Sequence, residues 1–75
     1  MDMQHYKEWV KIGLNILYYR KEQRLTQEDL AEACGKNRTF IQRIETGVSS
    51  CSLDTLIDIA QALNIPLYKL FMFKD

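Results

Sequence analysis

The sequence predicts an all-α fold, a single domain of five helices. Three observations predict it. Apolar residues recur at helical spacing along most of the chain; Gly and Pro are scarce, three and one in 75 residues; and capping residues stand at the starts of the periodic runs. Residues 1–75 read as one domain, because a chain this short buries only roughly 60 to 65% of its unfolded surface and leaves nothing for a second core. With 47% apolar and 27% charged residues, the composition is that of a compact soluble domain, not a disordered tail.

Composition also narrows the chemistry. No stretch approaches the roughly 18 apolar residues of a membrane span, and the polar start "MDMQHYKE" has no apolar signal core, so a cytoplasmic protein away from membranes is expected. Cys34 and Cys51 do not suggest a disulfide framework in a reducing cell interior. A zinc site wants about four ligands at short paired spacings, and the chain offers two separate cysteines and His5, so no metal is expected. With one His, no Gly-rich phosphate loop and no room for a walled pocket, neither enzymatic activity, nor a cofactor, nor a small-molecule substrate is expected.

The first helix is expected from about Tyr6 to Gln23. At about 100° per residue, Trp9, Ile12, Gly13, Ile16, Tyr19 and Arg20 share its core face. The opposite arc carries Tyr6, Val10, Leu14, Leu17 and Tyr18, more apolar than a solvated face. Either the apolar C-terminal segment of the same chain or a dimer partner covers it. Thr26 reads as the N-cap of a second helix, its hydroxyl accepting from the Asp29 amide, with Glu28 and Asp29 favoured by the helix dipole. Leu30, Ala31 and Cys34 face inward, and Gly35 supplies the left-handed residue that ends the helix. Cys34 is thus a small core residue.

Asn37 caps a third helix from Arg38 to Thr46, ended at Gly47 by the same device. Ile41 and Ile44 define its buried direction, so Thr39, Gln42, Arg43 and Thr46 point outward, with Arg38 and Phe40 on the flanks. Between Glu32 and Glu45 stand Lys36, Arg38 and Arg43 and no acid, a local charge of +3 in a chain of zero net charge. Composition alone fits a solvated helix. The spacing points further: two short helices joined by a Gly-containing turn, the second offering long polar side chains at its start, suit the DNA major groove.

Ser52 caps a fourth helix with Leu53, Leu56, Ile57, Ala60 and Leu63 as its core stripe and Ile59 off it. After Pro66, "LYKLFMF" is too apolar to hang in water and is expected as a fifth helix. It packs partly on the first helix and partly on a second copy, through Ile59, Tyr68, Phe71, Met72 and Phe73. A two-fold dimer would set two recognition helices about 34 Å apart, on successive major-groove faces.

The stretch "LTQEDLAEACGKNRTFIQRIETG" resembles the phage repressor and Cro type of helix-turn-helix, the XRE-like family, in its Thr-Gln opening, its Ala in the supporting helix, its turn Gly, its buried Ile and its closing Glu-x-Gly. The downstream "SLDTLIDIAQALNIPLYKLF" is similar to that family's fourth and fifth helices, so the resemblance spans about Ile12 to Phe71. It implies a lambda-repressor-like DNA-binding domain, with the helix-turn-helix at about 26–46. Within it, "NRTFIQRIETG" is similar to restriction-modification controller proteins, small homodimeric regulators built from this domain alone.

Carried onto these residues, the resemblance implies base contacts from Arg38, Thr39 and Arg43, and phosphate contacts from Gln27 and Asn37; Lys36 and Gln42 are expected to meet phosphates as well, as are the backbone amides and the Ser49 and Ser50 hydroxyls after Gly47. Arginine can pair bidentately with O6 and N7 of guanine, a Thr methyl can touch the thymine methyl, and amides at a helix start fix phosphates without reading sequence. Related repressors also join the first helix to the recognition helix by an ion pair, at positions matching Arg20 and Glu45. Three departures stand out. Arg24 replaces a frequent Gly at the end of the first helix, implying left-handed strain or a different turn. "VSSCS" follows Gly47 where cations are common, which implies few cationic contacts, a shallow salt dependence and weak binding by a single domain. Cys51 replaces a frequent Pro and is read as a loop residue.

The function expected is a sequence-specific transcriptional regulator of double-stranded DNA, a homodimer on a pseudo-palindromic operator. The alternatives are an antitoxin that also binds a toxin, though no disordered toxin-binding tail is visible, and a protein-interaction module that has lost DNA binding, for which zero net charge is the only argument.

Overall fold

A computed structural model describes residues 4–73. Four α-helices follow one another, α1 (Tyr6–Glu22), α2 (Gln27–Ala33), α3 (Arg38–Glu45) and α4 (Leu53–Ala62), and a 3₁₀ helix covers Leu67–Phe71. No strand occurs among the described residues. The expected fifth helix is therefore a 3₁₀ helix. It is only five residues long, too short for α-helical bonding to recover its nucleation cost, and the Lys69 amide bonds the Pro66 carbonyl at i−3 instead.

The starts follow the capping chemistry. Asp29, Phe40 and Thr55 donate their amides to the side chains of Thr26, Asn37 and Ser52 respectively. The Asp29 carboxylate also accepts from the Thr26 amide, closing a capping box. All four helices end alike, in a Schellman pair of bonds around a left-handed residue. Those residues are Arg24, Gly35, Gly47 and Asn64, with φ of 60°, 72°, 78° and 57°. Of the two possibilities open at Arg24, the left-handed one holds, at a cost of about 1–2 kcal/mol for a side chain with a Cβ. Asn64 plays the same part without having been expected to, although asparagine tolerates this region better than most residues.

The core joins Ile12 and Ile16 of α1, Leu30 and Ala31 of α2, Ile41 and Ile44 of α3, Leu56, Ile59, Ala60 and Leu63 around α4, and Leu70 of the 3₁₀ helix. α1 lies on α3 at close backbone range. A Cβ at Gly13 would fall within 3.0 Å of the Ile44 and Glu45 carbonyl oxygens, so only glycine permits this approach.

Two readings of α4 need correction. Its buried stripe is Leu56, Ile59, Ala60 and Leu63, whereas Leu53 is 58% exposed and Ile57 only half-buried. Apolar residues cover more than half the circumference of this helix, so periodicity alone does not set its phase; packing on α2 and the 3₁₀ helix does. Ile59 is consequently 0% exposed within its own domain and has no surface to offer a dimer partner.

The C-terminal segment runs along one flank of α1, where the Asn15 amide donates to the carbonyls of Leu70 (2.9 Å) and Met72 (3.2 Å). Lys11 stands over the Phe73 ring. Tyr6, Leu14 and Tyr18, further round the helix, stay exposed in the single chain.

Candidate nucleic-acid interface

α2 and α3 form the helix-turn-helix, and a buried ionic network fixes it to α1. Arg20 and Glu45 are 7% and 5% exposed. The Arg20 Nε donates to Glu45 Oε2 at 2.5 Å, and its Nη2 to Oε1 at 3.1 Å. The remaining Nη1 donates to the Leu25 carbonyl at 2.7 Å, in the turn between α1 and α2. From the start of α2, Gln27 Nε2 donates to Glu45 Oε1 at 3.0 Å. One carboxylate thus gathers α1, the turn and α2 onto α3, and no buried side-chain polar atom is left unpartnered among the described residues.

With Ile41, Ile44 and Glu45 turned inward, the opposite side of α3 is a polar ridge. Arg38, Thr39, Gln42 and Arg43 are all exposed on it. Thr46 turns its hydroxyl back to donate to the Gln42 and Arg43 carbonyls. Arg43 Nε donates to Ser49 Oγ at 3.1 Å, beyond the end of the helix. In the turn before α3, Lys36 is exposed with its ammonium 5.1 Å from the centre of the half-buried Phe40 ring. Asn37 spends its Oδ1 on the cap and keeps its amide nitrogen. Gln27 likewise gives one of its two amide hydrogens to Glu45 and keeps the other. Ser49 is half-buried and Ser50 exposed.

An open cleft between the end of α1 and the start of α3 is lined by Arg20, Lys21, Arg24, Leu25, Thr26, Gln27 and Arg38 together with one acid, Glu28. Lys21 and Arg24 are cations that sequence reasoning did not assign to the site. Their only signal was proximity to Thr26 in the chain, and they line the cleft together with Arg38.

Both thiols are suppressed as nucleophiles. Burial pushes Cys34 above the ordinary thiol range and Cys51 to about 11. No group of three metal-binding side chains occurs among the described residues, and none of their helices is long and apolar enough to cross a membrane. On the far side from α3's ridge, Tyr68, Phe71 and Met72 are exposed and Phe73 is half-buried.

Residues 16–70 match the model of the family described as "Helix-turn-helix". The chain is 43% identical over 56 residues to the control protein C.SmaI of Serratia marcescens, covering 75% of this chain and 67% of that one. It is 40% identical over 62 residues to the ImmF control region 10 kDa protein of Bacillus phage phi105, covering 83% and 69%. Among solved structures, the restriction-modification controller protein C.AhdI from Aeromonas hydrophila superposes with a TM-score of 0.87 at 33% identity, covering 92% of this chain and 100% of that one.

Proposed function

We propose, from the premise that this chain belongs to the helix-turn-helix family of DNA-binding transcription regulators, that it acts in the cytoplasm as a homodimer on a pseudo-palindromic operator, each protomer laying α3 in the major groove. The likeness to a control protein and a restriction-modification controller supports a controller role of that kind. The observation that carries the reading is the polar ridge of α3, backed by a helix face locked through Ile41, Ile44 and Glu45.

In this reading Arg38, Thr39 and Arg43 meet base edges. Gln27, Lys36, Asn37, Gln42, Ser49 and Ser50 meet phosphates, and the cleft adds Lys21 and Arg24 to them. Tyr68, Phe71, Met72 and Phe73 join the two copies, and pairing raises the affinity of a single domain that carries few cations.

Selection of bound fragments from random double-stranded DNA tests the proposal. Two inverted half-sites about one helical turn apart are the expected product. A pool with no enriched sequence overturns it.

A further inference from the structure

We infer that Ser49 is a positioning residue for base reading: its hydroxyl holds the Arg43 side chain so that the guanidinium fork faces outward, and base preference at one position depends on a residue outside the recognition helix. This rests on the reading of Arg43 as a base contact.

The loop that carries Ser49 is fixed by packing. Gly47 adopts a φ of 78°, and the Val48 amide turns back to bond the Arg43 carbonyl at 3.1 Å. The same glycine abuts α1, since a Cβ on it would lie 2.5 Å from Val10 Cγ2. The first helix therefore clamps the turn after the third, and the turn delivers Ser49 to the flank of Arg43.

The atom that is held matters. Ser49 Oγ accepts from Nε, 3.1 Å away, and leaves both terminal nitrogens of Arg43 free. Those are the pair whose spacing matches O6 and N7 of guanine. A partner on either terminal nitrogen would occupy one prong of the fork. An exposed arginine without a tether samples many rotamers and loses that freedom on binding; tethering at Nε removes part of the loss beforehand. The Ser49 hydroxyl keeps its own proton as a donor, so the same side chain can touch a phosphate oxygen while it aims Arg43.

The test uses the full chain and the operator selected for the parent, with each base pair of one half-site varied in turn. Arg43→Ala identifies the base pair that Arg43 reads. Ser49→Ala is expected to weaken preference at that same pair by about threefold to tenfold. Its salt dependence and melting temperature should match the parent's, Ser49→Thr should restore the preference, and Ser49→Ala added to Arg43→Ala should change the preference at that pair no further, whatever uniform loss its phosphate contact adds. A selective parent whose Ser49→Ala variant keeps its full preference at that pair, with or without a uniform loss on every DNA, or loses preference there additively with Arg43→Ala, overturns the positioning role alone. A parent without base preference overturns the DNA reading itself and this role with it.

Discussion

At the residue scale, Arg38 is the sharpest probe of the reading face. It stands at the first position of α3, exposed, beside Gln27 in the cleft. Arg38→Ala is expected to cost about 1–3 kcal/mol on the preferred operator and to relax preference at one base pair, measured by titration against single-base variants. Equal loss on every variant would make it a phosphate clamp. Its exposure was legible because Ile41 and Ile44 leave only one direction for the core. The need for glycine at residue 13 was not legible, although the position was placed on the buried face: the obstacle is a pair of carbonyl oxygens in another helix, and no local pattern encodes them.

At the element scale, α3 is held by the Arg20–Glu45 pair and α2 by its capping box. Glu45→Gln keeps the shape and leaves the Arg20 guanidinium buried without its counter-ion, so a loss of about 3–5 kcal/mol in urea melts is expected. That is a large part of the roughly 5–15 kcal/mol that holds a small domain folded. A melt equal to the parent's would remove the pair from the account. The capping box makes a pH prediction. The Thr26 amide and hydroxyl hold the Asp29 carboxyl below its ordinary value of 3.8, so folding favours the ionised form. That contribution is complete above about 3.8 and is lost as pH falls through the lower folded-state value. Asp29→Asn should therefore differ from the parent in urea midpoint at neutral pH, and the gap should shrink on acidification below that range.

At the scale of the whole molecule, a net charge of zero coexists with a local excess of cations around the start of α3. Lys36, Arg38 and Arg43 lie along the turn and the ridge, and the cleft brings Lys21 and Arg24 to the same side. The salt dependence of operator binding should accordingly be steeper than the three cations of the helix-turn-helix alone imply. Lys21→Ala and Arg24→Ala should each lower the slope of log affinity against log salt by about 0.9 if each neutralises one phosphate. An unchanged slope in both variants would place the cleft away from the backbone. Under the proposed pairing through the exposed Tyr68, Phe71 and Met72, operator binding should also depend on protein concentration in a way a monomer would not.

The sequence by itself determined where α2, α3 and α4 begin, because caps act within three or four residues: Thr26, Asn37 and Ser52 each find an amide three positions on. It determined which side of α3 faces solvent, because Ile41 and Ile44, with Phe40 on the flank, leave one choice on a helix whose other residues are polar. It did not determine the phase of α4, where apolar residues cover more than half the circumference, and Ile59 went inward because α2 and the 3₁₀ helix meet the chain on that side. Tertiary structure alone decided the cleft that joins Lys21 and Arg24 to Arg38, the Gly13 contact and the Ser49 tether on Arg43. Each is a meeting of residues whose positions are set by separate helices, and periodicity within one helix carries no information about where another helix stops.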